Sequence, residues 1–74
     1  MKKEIEGLLK EYKSERKKYL DYIKASDNYL ELLKERKDYK KIKEEKTYRY
    51  GLVVRANTYS FIVEDLQNLL GEGK

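Results

Sequence analysis

"TYRYGLVVRANTYSFIV", residues 47–63, can be read as either of two folds. β-Branched and aromatic residues are dense here, so residues 47–54 and 58–63 read as two strands of a hairpin around Arg55, Ala56 and Asn57. In steps of three and four, Leu52, Ala56, Tyr59, Val63, Leu66 and Leu70 instead form an unbroken helical seam, with Val53, Ile62 and Leu69 beside it. The strand reading lacks a two-residue turn of the Asn-Gly kind. The heptad spacing has no gap, and Gly71 follows it where a helix end favours glycine. The helix therefore leads, and an α+β fold with a C-terminal β-hairpin stands as the alternative.

Upstream, one helical stripe runs from Ile5 to Leu33. Leu8, Leu9, Tyr12, Tyr19, Tyr22, Ile23, Tyr29, Leu30 and Leu33 keep its phase, and Glu15, Arg16 and Ser26 interrupt it. Asn28 and Glu31 have capping-box spacing, but the stripe passes through them unchanged, so a single helix is expected. After Leu33 the phase fails. Residues 34–49 have strong helix propensity and little to bury, which predicts a charged helical extension or connector. The expected architecture is all-α: a helix over about 2–35, the charged segment 34–49 and a helix over about 50–70. Together they form an antiparallel hairpin in one domain, 1–74.

A chain of 74 residues without cysteine has neither a disulfide nor a large core to stabilise it. In this reading the second helix is about 22 residues and the first stripe about 29, so part of the stripe lacks a partner within the chain. A homodimer closing a four-helix bundle is the simplest remedy. Tyr12, Tyr19, Tyr22, Ile23, Tyr29 and Leu30 are the expected interface, either with the second copy or with a larger protein. Tyrosine suits surfaces that are apolar at the centre and wet at the rim.

The charge is unevenly spread. Segment 34–49 has eight Lys/Arg against four acids, a net +4 that equals the charge of the whole chain. Lys34, Arg36, Lys37, Lys40, Lys41, Lys43, Lys46 and Arg49, with Tyr39 and Tyr48 among them, form the pattern of a strand-binding groove for nucleic acid. The interleaved acids argue for a solvated helix, with Lys40–Glu44 and Lys41–Glu45 pairing at i,i+4. Direct nucleic-acid binding is the second reading, and contact with an acidic partner is the other use of these cations.

Catalysis has little to work with. There is no His or Cys, no Gly-rich phosphate loop and no nucleophile–base pair, so no enzyme, metal or cofactor is expected. The longest apolar runs are three residues, and the amphipathic first helix carries nearly as many acids as bases. No membrane association is expected, and the cytoplasm is the expected compartment. The Lys/Glu/Tyr-rich composition, with no Cys, His, Trp or Pro, resembles that of small accessory proteins of phages and mobile elements of AT-rich bacteria, including anti-CRISPR and other anti-defence proteins. That resemblance implies a stoichiometric inhibitor of a larger, nucleic-acid-processing protein in the cytoplasm of a bacterial host, and it carries no individual residue.

Overall fold

A computed structural model describes residues 1–71 and shows two helices, α1 (Lys2–Arg36) and α2 (Tyr39–Gly71), packed as an antiparallel hairpin. The rod measures 55 × 15 × 14 Å. The all-α hairpin expected from the sequence is the observed fold. The β-hairpin alternative is excluded, because residues 47–63 all lie within α2.

Local chemistry accommodates the helix in so β-prone a stretch without driving it. The hydroxyls of Thr47, Thr58 and Ser60 donate to the carbonyls of Lys43, Val54 and Ala56, each one turn back, at 3.0–3.1 Å. These hydroxyls are satisfied within the helix, though back-bonding of this kind adds no stability of its own. Tertiary packing does the rest, since helices in proteins owe most of their stability to a buried face.

The seam between the helices has strict heptad spacing on both sides. On α1 the shielded seam positions are Ile5, Leu9, Tyr12, Arg16, Tyr19, Ile23, Ser26, Leu30 and Leu33, with Glu15 half-buried beside them. On α2 they are Ile42, Glu45, Arg49, Leu52, Ala56, Tyr59, Val63, Leu66 and Leu70, with Val53, Ser60 and Ile62 half-buried beside them. Alternating steps of three and four keep one stripe of each helix facing the other, as in a coiled coil. Leu33 and Val63 are the most deeply buried, and each contributes about 1.5–3 kcal/mol relative to exposure.

Two boundaries differ from the sequence expectation. The segment 34–49 is neither a connector nor an extension of the first helix. It supplies the last turn of α1, a two-residue turn at Lys37 and Asp38, and the first turns of α2. Lys37 adopts the left-handed conformation (φ 56°, ψ 36°), and its N–H donates to the Lys34 carbonyl while that of Asp38 donates to the Leu33 carbonyl. This is a Schellman ending, made without glycine. Asp38 then caps α2: its Oδ1 accepts from the Lys41 backbone N–H at 3.3 Å, and its carbonyl accepts from the Ile42 N–H at 3.0 Å. The helices are consequently matched in length, 35 against 33 residues. The mismatch that suggested an unpartnered end of the first helix does not exist.

Candidate interaction surfaces

The antiparallel pairing sorts the expected interface residues into two sets. Tyr12, Tyr19, Ile23 and Leu30 lie on the seam against α2, with Leu30 buried and the others half-buried. Their main partner is their own chain. Tyr59 of α2 stacks on Tyr19 (centroids 5.6 Å apart, planes 24°) and tilts against Tyr12 (5.9 Å). Tyr22 meets Tyr19 edge-on at 5.7 Å. Tyr22 and Tyr29 remain exposed.

The exposed tyrosines belong to one flank of the hairpin. On α1, Leu8, Glu15, Tyr22 and Tyr29 recur every seven residues, and on α2 so do Tyr48, Arg55, Ile62 and Leu69. Tyr22, Tyr48 and Arg55 line a common hollow of about 510 Å³ with Tyr19, Thr47, Gly51 and Leu52, so both series border the same side of the seam. The opposite flank is polar. There Arg49 Nε donates to Asp27 Oδ1 at 2.6 Å, and Asp27, Lys46, Arg49 and Tyr50 edge a smaller hollow with Leu30 and Val53.

Arg55 stands where the apolar flank meets its tyrosines. Its Nη1 donates to the Tyr19 hydroxyl at 3.0 Å, and its guanidinium lies 5.8 Å from the centre of the Tyr19 ring. The bond to Tyr19 raises the guanidinium pKa further above its ordinary value, and an arginine is charged at every working pH in any case. Gly51, beside it in the hollow, interrupts a long helix where alanine would be about 0.5–1 kcal/mol better. A Cβ at Gly51 would meet nothing within 4 Å, so packing within this chain does not require the glycine.

A further stripe faces outward from α2, where Tyr50, Val54 and Phe61 share one exposed face at i, i+4 and i+11. As surface residues, Arg55, Ile62, Leu69 and Phe61 escaped the sequence reading, which placed Ile62 and Leu69 only beside the seam. The two seven-residue series were the signal that would have found the first three.

The basic residues cluster at the turn end of the rod without forming a continuous groove. Lys34, Arg36 and Lys37 end α1, while Lys40, Lys41, Lys43, Lys46 and Arg49 are spread around the start of α2. Tyr39 and Tyr48 are exposed among them, Tyr48 on the apolar flank. Lys34 pairs with Glu31 and Lys41 with Asp38, both at 3.8 Å, and Arg49 is held by Asp27. The expected Lys41–Glu45 pair is replaced, because Glu45 lies in the seam and accepts from Ser26. Lys40–Glu44 is not among the described ion pairs.

No helix among the described residues is long and apolar enough to cross a membrane. Neither a family model, a curated protein nor a solved structure matches the chain. Functional argument therefore rests on the surfaces themselves.

Proposed function

We propose that this protein is a non-enzymatic helical interaction module that binds, and by occupancy inhibits, a larger protein. The observation that carries the reading is the number and order of apolar side chains left on the surface of so small a core. Among the described residues, twelve large hydrophobic side chains are exposed while five hydrophobic residues are buried. Exposed apolar residues scattered singly are ordinary, but ordered stripes of them mark association surfaces. Here eight of the twelve are ordered, five on the Tyr-rich flank (Leu8, Tyr22, Tyr29, Tyr48, Leu69) and three on the outer α2 stripe (Tyr50, Val54, Phe61). The composition resembles that of phage accessory proteins, and this resemblance implies a nucleic-acid-processing target in a bacterial cytoplasm.

The test is site-specific photocrosslinking in cells, with the probe at Tyr22, Phe61 or Lys13. Protein adducts at Tyr22 or Phe61, absent at Lys13, are expected. Adducts at none of these, with crosslinks to nucleic acid from positions 37–46 instead, would replace this reading by the second one. The net +4 of residues 34–49, gathered at one end of the rod, favours that second reading: direct binding of nucleic acid. Phosphate-dominated binding weakens steeply with salt, whereas a Tyr/Leu interface hardly responds.

A further inference from the structure

The apolar flank has a polarity along the rod that suggests what covers it. Arg55 is the middle residue of α2, and Tyr19, to which it bonds, is the middle residue of α1. The two helices are therefore centred on the same level. Glu15 stands one turn from that level, about 6 Å along the axis. On the open side of this centre the flank is aliphatic, with Leu8, Ile62 and Leu69. On the turn side it is aromatic, with Tyr22, Tyr29 and Tyr48.

From this arrangement we infer that the flank is covered by a second copy of the chain, related by a twofold axis crossing the middle of the rod, with the two turns at opposite ends. Resting on the reading of this flank as a binding surface, the proposal names its occupant and leaves the outer stripe of Tyr50, Val54 and Phe61 to the larger protein. Four features of the flank fit that occupant. The rotation lays the aliphatic half of each copy on the aromatic half of the other. It brings two Arg55 and two Glu15 side chains together around the axis as a neutral group. It sets the second copy's Ile62 at the level of Tyr48, at the end of the hollow that Tyr48 and Gly51 both line. Finally, it keeps the two basic turns apart, whereas the arrangement with both turns at one end would crowd two +4 segments together.

The dimensions agree. A flank 55 Å long and 15 Å wide covers roughly 800 Å², the area each partner contributes to a standard interface. A hairpin with five buried hydrophobic residues also needs such cover, because small single cores supply little net stability.

The test is a charge swap followed by sedimentation. The wild-type protein should be a dimer at micromolar concentration. Glu15→Arg and Arg55→Glu should each weaken the dimer by about tenfold or more while circular dichroism keeps its helix content. An equimolar mixture of the two variants should regain the dimer, as should the double variant, because both restore two positive and two negative groups at the axis. Gly51→Phe, which fills the hollow without strain in the helix, should also dissociate it. With no native cysteine among the described residues, a spin label at Lys37→Cys should report a separation near the 55 Å rod length. A short Lys37–Lys37 separation would overturn the orientation, and failure of the mixture to re-associate would overturn the pairing. A monomeric wild type whose Tyr22 still crosslinks to another protein would overturn the second copy as occupant and leave the interaction-module reading standing. A monomer with no adducts at all would remove both.

Discussion

The Ser26 hydroxyl donates to Oε2 of Glu45 over 2.5 Å, placing a polar layer inside the seam between the helices. Ser26 is the one buried polar residue among those described. A partnered polar group in such a seam contributes less than an apolar one, but it selects register, since sliding by a heptad would leave it unpaired. Ser26→Ala should therefore destabilise the hairpin by about 1 kcal/mol, the scale of one lost hydrogen bond. Replacing both residues with leucine should raise the melting temperature and broaden the range of associated species. Sedimentation with thermal melts checks both, and an unchanged melt for Ser26→Ala would show that the layer is energetically silent.

The turn makes a second prediction. Lys37 holds a left-handed conformation that non-glycine residues adopt at a cost of about 1–2 kcal/mol. Lys37→Gly should stabilise the fold, by less than that because glycine also loses more freedom on folding. Asp38→Ala removes the α2 cap and should cost about 1 kcal/mol. Denaturant titrations of the two variants should move in opposite directions.

These same residues show what the sequence made legible. The all-α hairpin, the long first helix and the C-terminal seam from Leu52 to Leu70 could be read because apolar residues fall on heptad positions. The start of α2 could not, because Glu45 and Arg49 occupy the seam positions that continue the pattern toward Ile42. A search for apolar spacing sees the pattern fail there, although the spacing itself never breaks. The turn was hidden by Lys37, which stands where a left-handed glycine would have announced it. Of the candidate interface, Tyr22 and Tyr29 are exposed, whereas Tyr12, Tyr19, Ile23 and Leu30 face α2. Separating the two sets required knowing which stripe the second helix covers.

Tyr59 tests the aromatic cluster at the middle of the rod. It touches both Tyr12 and Tyr19, and the Tyr19 hydroxyl is engaged by Arg55. Tyr59→Ala should destabilise by about 3 kcal/mol, at the low end of aromatic truncations because the ring is half-buried. Tyr59→Phe should be close to neutral. Val63→Pro, one turn further along the seam, should be worse than either. It removes a backbone donor inside the helix at a residue 1% exposed, and about 3 kcal/mol or more is expected for the proline alone. Chemical denaturation ranks the three, and a Val63→Pro variant as stable as Tyr59→Phe would contradict a continuous α2.

The basic turn end should be separable from the fold. Lys37, Lys40 and Lys41 are exposed, and their one described ion pair, Lys41–Asp38, is a solvated contact at 3.8 Å. Such pairs contribute between zero and about 1 kcal/mol. Changing all three lysines to glutamate has opposing effects on the two helix dipoles. At Lys37 the new charge sits unfavourably at the C-terminus of α1. At positions 40 and 41 it supplies the acid that the first turn of α2 lacks, worth about 0.3–1 kcal/mol per group. The triple variant should therefore melt within a few degrees of the wild type. Its association with an acidic partner should slow markedly while dissociation changes little, because charges at a rim act mainly on encounter. Stopped-flow binding separates the two rates. If the wild type instead binds short DNA or RNA tightly at physiological salt, with an affinity that falls steeply as salt rises, and the triple variant does not, then these lysines grip phosphate. The turn end would then be the working surface, and the tyrosine flank would serve assembly alone.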